Sequence, residues 1–125
     1  MEISVMKKQG NIVQVNTEFG CFEGTWCSSM PAELKKYVVE LDSEDVITPS
    51  AIEHSMSLIP KIECDGKNIY FTGIVEEIQD HIMFLRFQGF IIMLELLSTV
   101  DFGQYLGQYV RVKLNHINIY DTEIY

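Results

Sequence analysis

Basic residues are scarce in this chain. Lys and Arg total 9 against 18 Asp and Glu in 125 residues, a formal net charge of −9. Neutralising phosphates supplies most of a nucleic-acid binder's affinity, so DNA and RNA are not expected partners. A membrane-length apolar run is also missing. The most apolar stretch, HIMFLRFQGFIIMLELL at 81–97, carries Arg86 near its centre and then Gln88-Gly89. A spanning helix needs about 20 mostly apolar residues, and a charge at the bilayer centre costs several kcal/mol. No membrane partner is expected. The opening MEISVMKKQG has no apolar run behind a basic start, so no secretory signal is expected either. Cysteines number three, Cys21, Cys27 and Cys64, an odd count that suits reduced thiols in a cytoplasmic protein better than a disulfide framework.

Sequence-local signatures of catalysis are absent too. Gly103 to Gly107 lacks the strand–turn–helix setting of a phosphate loop, and no serine lies in a nucleophile elbow. The cysteines and His54, His81 and His116 lack the short paired spacing of zinc motifs. The cysteines are expected to pack as small hydrophobes and the histidines to sit in turns. Glu76 and Glu77 are adjacent, which on a strand sends them to opposite faces, one outward and one toward the interior or a bulge. Acid–base pairing is therefore not the expected use of these carboxylates. The expectation is a protein that is not an enzyme, with no catalytic residue, no metal ligand and no cofactor.

What the chain does have is apolar residues, 47% of the total, enough for one domain over 1–125 with a real core. The apolar run reads as a hairpin. A helix there would be apolar on all sides and carry Gly89 in its middle, whereas Ile82–Phe87 and Phe90–Leu96 have normal strand length. Gln88-Gly89 is the turn, with glycine expected to supply the positive φ. Ile69–Ile78 is a further strand after an Asp65-Gly66 turn, with a bulge or bend expected at Gly73. Tyr109–Leu114 alternates, with Val110, Val112 and Leu114 inward and Arg111 and Lys113 outward, and Ile117–Tyr120 alternates again. Residues 61–120 thus give about five consecutive strands. In the N-terminal half, Ile3–Met6 and Ile12–Val15 form a hairpin, and Phe19–Trp26 a strand with Phe22 and Trp26 on one side. Residues 34–42 fit a helical stripe or a strand, and the Val38-Val39 pair favours strand for Lys36–Asp42.

Thr48–Ile59 is the best helix candidate. Pro49 suits a first turn, Ser50 to Glu53 has the form of a capping box, Ile52, Met56 and Ile59 share one face, and Pro60 ends it. No internal repeat is evident. The fold class expected is mainly β (α+β): a small curled antiparallel sheet or barrel of oligonucleotide-binding type with one short helix. In such barrels exposed aromatics stack bases. Here Tyr70, Phe71, Phe84, Phe87, Phe90 and Tyr109 have few basic neighbours and are expected to fill the core instead.

Charge placement is the most unusual feature. From Glu40 to Asp65 there are seven acids (Glu40, Asp42, Glu44, Asp45, Glu53, Glu63 and Asp65) against Lys61, a net −6 in 26 residues. This segment is either an ordinary solvated face or an acidic docking surface for a basic protein, where complementary charge speeds association. In size, overall charge and this acidic segment the chain resembles the immunity proteins of bacterial toxin systems. The resemblance implies neutralisation of a cognate toxin, often a basic nuclease, by covering its active site or a nearby surface. Asp42, Glu44, Asp45 and Glu53 are the expected partner-binding residues. The alternative is a small β-barrel that binds a ligand or nucleotide, or acts as an adaptor.

Overall fold

The structure is a computed structural model and describes residues 1–122. Hydrophobic alternation of period two runs through nearly every element, and the chain is accordingly built of strands. The N-terminal half contributes β1 (Glu2–Gln9), β2 (Ile12–Thr17), β3 (Gly20–Trp26), β4 (Lys36–Asp42) and the two-residue β5 (Val46–Ile47). The C-terminal half adds β6 (Ile52–His54), β7 (Lys61–Asp65), β8 (Asn68–Gln79), β9 (Ile82–Phe87), β10 (Phe90–Leu96), β11 (Tyr109–Leu114) and β12 (Asn118–Asp121). β1, β2, β3, β12 and β4 close into a barrel. The remaining strands form a second sheet in the order β5-β10-β9-β8-β11-β6, with β7 also paired to β8. The buried side chains of both sheets belong to one hydrophobic core, in which Phe71 and Phe87 are wholly inaccessible to solvent and meet edge-on at 5.4 Å.

The two sheets are built on one plan. β1 pairs β2 as Val5↔Val15, Lys7↔Gln14 and Gln9↔Ile12, and β8 pairs β9 as Val75↔Leu85, Glu77↔Phe84 and Gln79↔Ile82, each residue displaced by 70 positions (5 to 75, 15 to 85). The bulge recurs at the same place, between Val5 and Lys7 and between Val75 and Glu77. The third strands agree as well: Thr17↔Gly20 and Val15↔Phe22 against Phe87↔Phe90 and Leu85↔Ile92. β4 lies on β1 with Glu2↔Val38 as β11 lies on β8 with Thr72↔Arg111, now displaced by 73 (38 to 111). The last strand of each unit crosses to the other. β5 pairs in parallel with the end of β10 (Glu95↔Val46), and β12 pairs in parallel with the end of β3 (Asn118↔Thr25). Matching core positions are buried in both units: Val5 and Val75, Val15 and Leu85, Val39 and Val112, Leu41 and Leu114, Ile47 and Ile119. The chain is thus an intertwined internal repeat, contrary to the sequence reading. Val5, Gln9, Ile12, Val39, Leu41 and Ile47 are the identical residues among these pairs, too few and too generic to mark a period.

The units differ in closure. In the first, β12 inserts between β3 and β4, with Asn118 opposite Asp42. The equivalent place in the second is bridged by a side chain. The Asp45 carboxylate accepts the backbone N–H of Asn115 at 2.7 Å and of His116 at 3.0 Å, and takes the Ser43 hydroxyl at 3.1 Å.

The mainly β class, the hairpin at 82–96 and strand Lys36–Asp42 match the sequence reading. Four local expectations do not. The helix at Thr48–Ile59 is a 3-10 turn over Pro49–Ala51, followed by β6. The open edge of β11 takes Ile52 opposite Val112 and His54 opposite Val110, and this pairing wins over local helix propensity. Ile52 is buried while Met56 and Ile59 are exposed, so no common face exists. The bulge in β8 lies between Val75 and Glu77 rather than at Gly73, and it leaves both Glu76 and Glu77 exposed. Gly73 serves close packing, because a Cβ there would stand 2.6 Å from the Arg86 carbonyl oxygen. In the β9–β10 turn the positive φ belongs to Gln88, at 35°, not to Gly89.

Candidate functional site

β4 places alternate side chains on two faces. Tyr37, Val39 and Leu41 enter the barrel; Lys36, Val38, Glu40 and Asp42 point out. Pairing extends this outer face across three strands. Glu2 of β1 stands opposite Val38, and Tyr120 of β12 stands opposite Glu40. Directly opposed residues in a sheet share a face and lie within about 5.5 Å at Cα. The result is a continuous patch of Glu2, Val38, Glu40, Tyr120 and Asp42, with Glu44 at its rim. Val38 is 48% exposed and Tyr120 37%, so apolar and aromatic surface is available between the carboxylates.

Electrostatics agree with this grouping. Partial burial of the Tyr120 phenol, together with the nearby Cys27 thiol and the carboxylates of Asp42 and Glu44, holds its pKa above the usual tyrosine value. The Met1 ammonium borders the patch and donates to the Val39 carbonyl at 3.0 Å. Burial lowers its pKa, opposed by the charges of Glu40 and Glu2.

The four residues expected from sequence do not form one cluster. Asp42 and Glu44 are exposed beside Tyr120. Asp45 is half-buried, and its Oδ2 is occupied by the bonds that bridge the second sheet. Glu53 lies on β6 in the other sheet, 3.4 Å from Arg111. The sequence reading missed Glu2, Val38 and Tyr120 as members of the face. Their signal was the outward phase of three strands, but the pairing of the first strand with the fourth and of the fourth with the last lies beyond any local window.

A second surface feature centres on Arg111. Its guanidinium stacks 3.6 Å over the Tyr70 ring and reaches Glu53 and Glu63 at 3.4 and 3.6 Å. Ser50, Ala51, Glu53, Tyr70, Arg111 and Lys113 line a shallow hollow there. Both faces of Arg111's chemistry, π-stacking and ion pairing, are satisfied within the chain.

Several remaining expectations need correction. Cys21, Cys27 and Cys64 are all exposed rather than packed as core hydrophobes. The Cys64 thiol donates to the Cys21 carbonyl at 3.0 Å, and burial first, then the charges of Cys21 and Glu23, push its pKa up. His81 lies in a turn and His116 in the connection between β11 and β12, but His54 is on β6, its ring tilted against that of Tyr105 with centroids 4.9 Å apart. Of the six aromatics, Phe71 and Phe87 fill the core, whereas Tyr70 is partly exposed against Arg111. Among the described residues no group of three His, Cys, Asp or Glu is placed to hold a metal ion, and no helix is long and apolar enough to cross a membrane. Set against protein-family models, curated proteins and solved structures, the chain matches none.

Proposed function

We propose that this chain is a binding protein of the immunity type, which neutralises a basic toxin by covering it with the outer face of β4 and its neighbours. One observation carries the reading. The repeat supplies an internal control for what the fold itself requires. Outward positions Val38, Glu40 and Asp42 on β4 correspond to Arg111 and Lys113 on β11 and to Asn115 just past its end, while the inward positions between them stay apolar in both. The scaffold tolerates either sign of charge at these sites, so the acids on β4 answer to something other than folding. An acidic ring around Tyr120 and Val38 has the composition of a docking site. The charges steer a basic partner, and the aromatic and aliphatic groups supply desolvated contact area. Asp42 and Glu44 remain in this face, joined by Glu2 and Glu40. Asp45 acts in the scaffold and Glu53 in the Arg111 cluster. The action is steric occlusion, with no covalent step and no cofactor. A cytoplasmic site of action goes with this reading.

The alternative is a small barrel that binds a ligand or nucleotide or acts as an adaptor, and a ligand held inside such a barrel needs interior space. Interior positions Ile3, Val13, Val15, Val39 and Ile119 are filled by side chains with 1% exposure or less, which favours use of the outer surface.

The experiment is an affinity capture from source cells with wild-type protein and with a Glu40→Lys/Asp42→Lys/Glu44→Lys variant as parallel baits. A basic protein should be retained by the wild type, be released by salt, and be lost from the variant. Expressed alone that protein should arrest growth, and co-expression of the wild-type chain should restore it. Equal retention by both baits, or a captured protein without toxicity, overturns the reading.

A further inference from the structure

The repeat also exposes a difference at the third strand of each unit. In β10, Phe90, Ile92 and Leu94 turn inward and bond to β9 across from Phe87, Leu85 and Met83. The alternate residues, Ile91 and Met93, therefore aim their N–H and C=O groups at the opposite edge. β5 takes that edge only at Glu95 and Leu96. Among the described residues nothing pairs it from Phe90 to Leu94. The matching edge of β3 is covered. β7 lies against it, with the Ile62 N–H bonded to the Phe19 carbonyl at 2.8 Å and the Cys64 thiol on the Cys21 carbonyl. Gly20 permits the approach, since a Cβ there would fall 2.0 Å from the Ile62 carbonyl oxygen.

Side chains diverge in the same sense. The outer face of β2–β3 carries Gln14, Asn16 and Glu23; the equivalent positions of β9–β10 are Phe84, Arg86 and Met93. Met93 is 59% exposed and Ile91 38%. Soluble proteins usually guard an open edge with lysine, proline, a bulge or a covering segment. Gln88–Leu94 has none of these residues and no charge at all.

We propose that this edge docks a second copy of the chain, β10 against β10, antiparallel about a twofold axis at Ile92. This surface is distinct from the acidic face on β4 and does not depend on it. The register follows from which groups are free. Pairing Ile91 with Met93 of the other copy, and the reverse, satisfies the N–H and C=O groups of both residues on each strand. It sets Ile91 against Met93 in two apolar cross-strand contacts. β5 already holds Glu95, so the shared ladder runs from Phe90 to Leu94, a segment without charge, and no like charges meet across it despite a net charge of −9 on each chain. A neutral edge offers nothing to select a charged foreign segment, whereas it is complementary to itself.

The test combines mass with amide exchange on the full chain across a concentration series. Wild type should move from monomer to dimer mass as concentration rises. Over the same range the Ile91 and Met93 amides should become protected, while Phe90 and Ile92, already bonded to β9, stay protected throughout. Met93→Lys should remain monomeric at concentrations where wild type is dimeric, with unchanged dichroism. Met93→Pro removes the outward N–H without touching the β9 ladder and should do the same. A wild type that stays monomeric with rapidly exchanging Ile91 and Met93 amides overturns the proposal. So does a dimer that survives both substitutions, and so does protection that appears only with a foreign peptide.

Discussion

β4 and β11 occupy the same place in the two units of the repeat and share their inward residues Val39/Val112 and Leu41/Leu114, yet outward they differ completely. One presents Val38, Glu40 and Asp42; the other presents Arg111 and Lys113, with Asn115 just past its end. A stripe of inward apolar residues is what folding needs, because burial of apolar area provides most of its driving force. The outward stripe is free to serve other ends. On β11 it feeds an intramolecular cluster, Arg111 with Glu53, Glu63 and Tyr70. Among the described residues the β4 carboxylates form no ion pair with a lysine or arginine, and they surround an exposed tyrosine. The two strands therefore separate what the fold demands from what a partner could use.

The largest expected effect tests the inward half of this comparison. Val39→Asp and Val112→Asp should each abolish folding, since an unpaired buried charge costs several kcal/mol against a total of about 5–15. Loss of strand dichroism checks this. If one of the two variants folds normally, the inward positions are not equivalent and the repeat is only formal. Next in size is Gly24→Ala. Its Cβ would stand 2.8 Å from the Ile119 side chain and 3.0 Å from the Ile117 carbonyl oxygen where β12 crosses β3. Overpacking of this kind costs about 1–3 kcal/mol, read as a lower denaturant midpoint. The equivalent position in the second unit holds the fully buried Leu94 in place of a glycine, so Leu94→Ala should instead cost about 2–5 kcal/mol by leaving a cavity.

Asp45 marks where the two closures differ. Asp45→Ala leaves the Asn115 and His116 N–H groups without their acceptor and should cost about 1–3 kcal/mol. Amide exchange should quicken at these two residues first. A neutral outcome would mean that water serves as well as the carboxylate in joining β5 to β11.

Most of the secondary structure was legible in the sequence because the alternation of Lys36–Asp42, Tyr109–Leu114 and the hairpin strands is a local signal. The assembly was not. Parallel pairing of β12 with β3 joins Asn118 to Thr25, and no window of sequence contains both. Thr48–Ile59 misled for a related reason: its capping-box residues are real, but β11 offers Ile52 and His54 backbone partners that a helix of marginal length cannot match. The candidate site was half legible. Asp42 and Glu44 stood out as acids in a run, while Tyr120 joins them only through the register with Glu40. Asp45 and Glu53 belong to the same run in sequence and to other tasks in space.

The smallest expected effect is spectroscopic. Because the Tyr120 pKa lies above its ordinary value, the folded form holds its proton longer than the unfolded chain. Any stability from this is complete below the usual tyrosine pKa of about 10 and is lost as pH rises through the folded value. Nothing from this source should change near neutral pH. An Asp42→Asn/Glu44→Gln variant should ionise Tyr120 at lower pH in an ultraviolet titration. An unchanged titration would place these carboxylates away from the phenol.

The most direct test of the account compares charge reversal on the two equivalent strands. The association rate of the captured basic partner is measured at low and at high salt, for Glu40→Lys on β4 and for Lys113→Glu at its counterpart on β11. Both positions are exposed, so both variants should keep their stability within about 0.5 kcal/mol. Glu40→Lys should slow association several-fold at low salt and flatten its salt dependence, with Lys113→Glu leaving the rate the same or slightly faster. Equal effects from the two strands, or no effect from Glu40→Lys, would contradict it.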